Sequence, residues 1–152
     1  MGTRPRLNFI VDNPSRLLIV RPIGSLTAIE FVEQLYESYA GLSEPWIYRR
    51  VTDLRRWDCE FDPISQAEMV HRWSGLTQGI TYQTLVATVA QDAGDRLRIA
   101  GPSPHLPHET ACVFTDYHEA VGWLLASDPA AYLAGLGEVP FRQRQAPFLE
   151  LE

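Results

Sequence analysis

A chain of 152 residues, 45% hydrophobic and 21% charged, is long enough to bury one core without staples, and its balance excludes wholesale disorder. The net charge of −6 argues against sequence-independent nucleic-acid binding, where neutralising phosphates dominates affinity. All 13 basic residues are arginine, so a P-loop lysine, a Schiff base and a lysine general base are excluded.

Residues 7–11 (Leu-Asn-Phe-Ile-Val) read as a first strand, with Asp12-Asn13-Pro14-Ser15 supplying turn chemistry. Residues 16–21 form a second strand, more continuously apolar and therefore central, and the short connection makes the two an antiparallel hairpin. Thr27 and Glu30 form a capping box that opens a helix. Its core stripe is Phe31, Leu35 and Tyr39, and it is expected to end near Gly41. Residues 46–54 are expected as the third strand and residues 55–61 as a loop. Asp62-Pro63 is an N-cap followed by proline at the first helical position, which starts a second helix running to about Gly79. Ile64, Met69, Trp73 and Leu76 are its expected core residues. Residues 84–90 are the fourth strand.

Between residues 91 and 108, Arg96 to Ala100 fits either a helical turn or a strand, and Gly101, Pro102, Pro104 and Pro107 forbid a regular helix after it. A last strand and helix span residues 111–125, capped by Thr115 or Asp116. One more short helix begins at Ser127-Asp128-Pro129, and a proline-interrupted tail follows Gly137. The expected division is a domain over residues 1–128, with a short helix and tail over 129–152. Strands alternating with capped helices return each strand parallel to the last. The fold class is therefore α/β, a mostly parallel sheet of five strands with packed helices and an N-terminal hairpin. Val20, Leu35, Val51, Val86, Val113 and Trp123 are expected to be buried together.

Three stretches carry a resemblance. They are Val20-Arg21-Pro22-Ile23-Gly24-Ser25-Leu26-Thr27, Val51-Thr52-Asp53-Leu54-Arg55-Arg56-Trp57, and Val113-Phe114 through Trp123-Leu124. In their order and spacing the chain resembles the STAS superfamily, in its SpoIIAA-like branch, named for a bacterial anti-sigma-factor antagonist. The likeness covers residues 7–126. It implies the STAS fold and a regulatory, protein-binding role. Antagonists of the phosphoswitch kind carry Asp-Ser-Ser-Gly where the second helix begins. Here that stretch is Asp62-Pro63-Ile64-Ser65, which keeps one serine and lacks the Ser-Gly pair.

Among candidate sites, the loop at the carboxyl end of the third strand stands first, because open α/β sheets place binding surfaces there. Arg55, Arg56, Trp57, Asp58, Asp62 and Ser65 form the candidate interaction surface. Tryptophan and arginine dominate binding hot spots, yet Trp57 can equally pack over the edge of the core. Asp53, Asp58, Glu60 and Asp62 gather four acids in the same region. The plain reading is that Asp62 caps a helix, Asp53 accepts from loop amides, and the other two are solvated. Arg49, Arg50, Arg55 and Arg56 make a local cluster able to bind an anion. His105, His108 and Glu109 could ligate a metal, but Pro107 breaks their frame, and a solvated loop is the simpler reading. His71 and His118 read as helix-surface residues, and Ser65 as a first-turn residue.

No serine or cysteine nucleophile has a base nearby, and Cys59 and Cys112 match no metal or redox spacing. The expectation is a cytoplasmic, non-catalytic module that needs no cofactor, has no membrane span and no nucleic-acid partner, and recognises a protein partner. The rival is a carrier for a small apolar molecule or lipid, because the face between sheet and helices is rich in aromatic and aliphatic side chains. Phe141 and Phe148 in the tail are expected to cover a surface, which makes a homodimer the expected assembly.

Overall fold

The computed structural model describes residues 4–91 and 108–126. The expectations for residues 92–107, which include His105, and for the short helix and tail after residue 126 lie outside the described residues.

Strands β1 (Arg6–Asp12) and β2 (Leu17–Ile23) form the hairpin, with Phe9 opposite Val20 in antiparallel register. Its turn is closed by the Ser15 amide donating to Asp12 Oδ1 and by Arg16, held in the left-handed region at φ 52°. Helix α1 (Ala28–Tyr39) follows, and both bonds of the Thr27–Glu30 capping box are present. Strand β3 (Arg49–Asp53) pairs parallel with β2, helix α2 (Pro63–Leu76) follows, and β4 (Thr84–Val89) pairs parallel with β3. Strand β5 (Glu109–Phe114) pairs parallel with β4, and helix α3 (Tyr117–Ala126) closes the described chain. The sheet order is β1-β2-β3-β4-β5.

That order explains the layers. Right-handed crossovers that step along a sheet in one direction deposit their helices on one face, so α1 and α2 share a face. Helix α3 follows the last strand, crosses nothing, and packs on the other. Period-two alternation then splits the core. Leu17, Val51, Leu85, Ala87, Val89 and Phe114 meet Trp123 and Leu124 on the α3 face. Leu18 and Val20 meet Phe31, Leu35, Tyr39 and Trp73 on the α1/α2 face.

Three expectations change. The single cluster containing Val20 and Val51 is two clusters, and Val113 on edge strand β5 is half-buried. The third strand is shorter than expected. Pro45–Ile47 is a 3-10 turn, because Pro45 with its fixed φ starts one, and pairing begins only at Arg49. In α2 the inward row is Ser65, Met69 and Trp73, spaced by four. Ile64, one residue out of that row, is 81% exposed, and Leu76 is exposed as well.

Candidate functional site

The α1/α2 face is not filled. A cavity of about 230 Å³ lies between α1, α2 and the sheet. Its floor carries Thr52 on β3 and Val86, Thr88 and Ala90 at the β4 end, side chains too short to reach the helices above. Its walls are long and aromatic: Phe31, Tyr36 and Tyr39 from α1, Met69 and Trp73 from α2. The Tyr36 hydroxyl donates to the Met69 carbonyl at 2.9 Å and ties the two helices across the top. Trp73 Nε1 donates to the Tyr82 hydroxyl at 2.7 Å and fixes the indole.

Residues 54–61 form the lid. Trp57 meets Phe31 edge-on at 5.3 Å between ring centroids and Phe61 at 5.1 Å, and its Nε1 donates to the Leu26 carbonyl at 2.7 Å. The lid backbone is laced to the end of β2. The Gly24 amide donates to the Arg56 carbonyl and the Asp58 amide to the Gly24 carbonyl, both at 2.9 Å. Gly24 allows this approach at φ 71°, where a Cβ would be strained.

One charged pair lies at the base. Arg50 rises from β3 into the cavity, its side chain 12% exposed. It donates to the Tyr39 hydroxyl at 3.1 Å and to Glu109 Oε1 at 3.2 Å, and its guanidinium lies 5.5 Å from the Trp73 ring centre. Glu109 is more buried still, and its Oε2 has no hydrogen-bond partner among the described residues. Burial pushes the Glu109 carboxyl up, with Arg50 pulling partly back, and burial likewise raises the Tyr36 and Tyr39 phenols.

The opposite face holds a second charged group. Asp53 accepts from Arg21 at 3.2 Å and, through both oxygens, from Arg55 at 2.9 Å. Both guanidinium groups lie against the Tyr117 ring.

The structure therefore distributes the sequence candidates. Arg55 is bound to Asp53, while Arg56 and Asp58 are exposed. Trp57 takes the packing reading, turned inward as the lid. Asp62 caps α2 by accepting from the Ser65 amide at 2.7 Å, and the buried Ser65 hydroxyl donates to its other oxygen. Asp53 accepts from the Arg55 amide, as expected, but also from two arginine side chains. The arginine cluster does not exist as one site: Arg49 donates to the Leu124 carbonyl on the α3 face, and Arg50 enters the cavity on the other. Glu109 is not part of a solvated loop; it opens β5 and turns inward. Glu60 lies at the cavity, and His71 and His118 are exposed. Among the described residues no three His, Cys, Asp or Glu side chains come close enough to hold a metal ion, and no helix is long and apolar enough to cross a membrane.

Sequence reasoning pointed to the face between sheet and helices, where the cavity lies, but missed the Arg50–Glu109 pair. The signal available for Arg50 was strand alternation, which puts it on the opposite face from Val51, under the aromatic helix stripe.

No protein-family model matches the chain, and no curated protein matches it. Among solved structures it is similar to an uncharacterized protein from the DUF3478 family of Shewanella loihica PV-4, described as having a SpoIIAA-like fold. The two share 21% identity over 82% of this chain and 98% of that one, with a TM-score of 0.51. The fold is SpoIIAA-like. In this SpoIIAA-like domain the cavity sits between the sheet and the two crossover helices, and the expected loop surface lies over its mouth.

Proposed function

We propose that this SpoIIAA-like domain is a non-catalytic receptor for a compact, largely aromatic small molecule held between α1, α2 and the sheet. The observation that carries it is the aromatic cavity under the Trp57–Phe61 lid. Size narrows the occupant. An apolar cavity of about 150 Å³ accepts benzene, whereas drug-sized sites run to about 300–1,000 Å³. A space of about 230 Å³ suits one fused bicyclic ring system and is small for a long acyl chain. The reading is of a cytoplasmic protein, and the free, half-buried thiol of Cys59 is in keeping with a reducing compartment.

The test is a tryptophan-fluorescence titration with naphthalene as the probe, since Trp57 and Trp73 both line the space. Wild type is expected to show saturable quenching. Thr88→Phe, which fills the floor, is expected to keep the fold by circular dichroism and to weaken binding by about tenfold or more. Equal quenching in both proteins would overturn the proposal.

A protein partner is the second reading, favoured by one observation. Ile64 is 81% exposed at the start of α2, a few residues beyond the exposed Arg56 and Asp58. That surface, rather than Trp57, is where a regulatory partner is expected to dock. An affinity capture that loses the same partner with Arg56→Ala/Ile64→Ala, while Thr88→Phe retains it, would support this reading. A partner held equally by all three proteins would remove it.

A further inference from the structure

We infer that the occupant of the cavity carries a carboxylate on its ring system, and that Arg50 is the group that binds it. This rests on the cavity reading above and adds the polar chemistry of the ligand. Arg50 is the basic side chain among the described residues that lines the cavity. A guanidinium has five N–H donors in a planar fork. Arg50 donates one to the Tyr39 hydroxyl and one to Glu109, leaving N–H groups for acceptor oxygens in the space above.

The existing ion pair does not saturate the fork. It uses a single carboxylate oxygen at 3.2 Å, longer than the about 2.7–2.9 Å of strong charge-assisted bonds. Glu109 Oε2 is left without a hydrogen-bond partner among the described residues, and burial biases that carboxyl toward its neutral form. Trp73 and Tyr39 hold the guanidinium in place before any ligand arrives, so little ordering remains to be done on binding. A cationic ligand is the competing occupant of an aromatic cavity. Arg50 already lies against the Trp73 ring and repels a second positive charge there.

The experiment titrates the full chain with three probes of one ring system: 2-naphthoate, 2-naphthamide and 2-naphthylmethylammonium. In wild type, 2-naphthoate is expected to bind about tenfold tighter than 2-naphthamide. Arg50→Met/Glu109→Leu removes both buried charges together, so neither is stranded. It is expected to bring 2-naphthoate to the amide's affinity and leave the amide within about threefold of wild type. Arg50→Lys is the check if that pair misfolds; it keeps the charge, loses the fork, and should narrow the acid's preference while sparing the amide. Equal wild-type affinities for acid and amide, or tightest binding of the ammonium, would overturn the carboxylate inference and leave the cavity reading standing. Failure of all three probes to bind would bring down the cavity reading and this inference with it.

Discussion

Asp53 is a buried carboxylate held between two guanidinium groups, its side chain 2% exposed against 25% for Arg21 and 40% for Arg55. Burial pushes its carboxyl up, but the Arg55 hydrogen bonds and the charges of Arg55 and Arg21 outweigh that, and the net shift is downward. A carboxyl lower in the folded state than in the unfolded chain stabilises fully above the unfolded value and loses that contribution as pH falls through the folded one. Asp53→Asn is therefore expected to lower stability by about 1–3 kcal/mol at neutral pH. Denaturant midpoints measured down the pH scale should converge for the two proteins below about pH 4. A gap that stays constant to pH 2 would remove the ionic part of the argument. Trp57 shows why residue-scale roles were only half legible: its neighbours in sequence are charged, and what turns it inward is the Leu26 carbonyl and the Phe31 ring, both distant in the chain.

At the scale of elements, α2 depends on its first turn. Asp62 accepts from the Ser65 amide, Pro63 occupies the first helical position, and Ser65 is buried with its hydroxyl bonded back to the cap. Asp62→Ala removes the cap and leaves a buried hydroxyl without its acceptor. The cost is expected near the upper end of about 0.5–2 kcal/mol, read as a shift in thermal midpoint. Thr27→Ala in α1 strips an exposed capping box and should cost less, about 1 kcal/mol. Equal losses would mean that the buried Ser65 hydroxyl contributes nothing. Both caps were readable because capping is a contact over three residues. The rotational phase of α2 was not, since Ile64 and Ser65 exchange inside and outside with a 100° turn that only the sheet beneath decides.

For the molecule as a whole, the alternation of strands and capped helices was enough to give the parallel sheet, because connection rules leave little choice. The face that carries the cavity was legible from its aromatic and aliphatic side chains, but its unfilled volume was not, since that depends on how far apart two helices stand above a row of short side chains. Nor was the Arg50–Glu109 pair, whose members are 59 residues apart in sequence. The lacing of the lid to Gly24 has a consequence for how the space can open. The Gly24 amide is bonded to the Arg56 carbonyl and the Asp58 amide to the Gly24 carbonyl, so in deuterium exchange both should be slow and should open together with the end of β2. Trp57 lies between these two ties, and the Phe61 ring packs on Trp57 and Phe31, so the lid is held as one piece. Gly24→Ala, strained by about 1–2 kcal/mol at a left-handed position, should speed exchange at Asp58 while leaving Trp123 and the α3 face slow. The door to the cavity is thus latched at the end of β2, and the rate at which a ligand comes and goes should rise in Gly24→Ala along with exchange at Asp58.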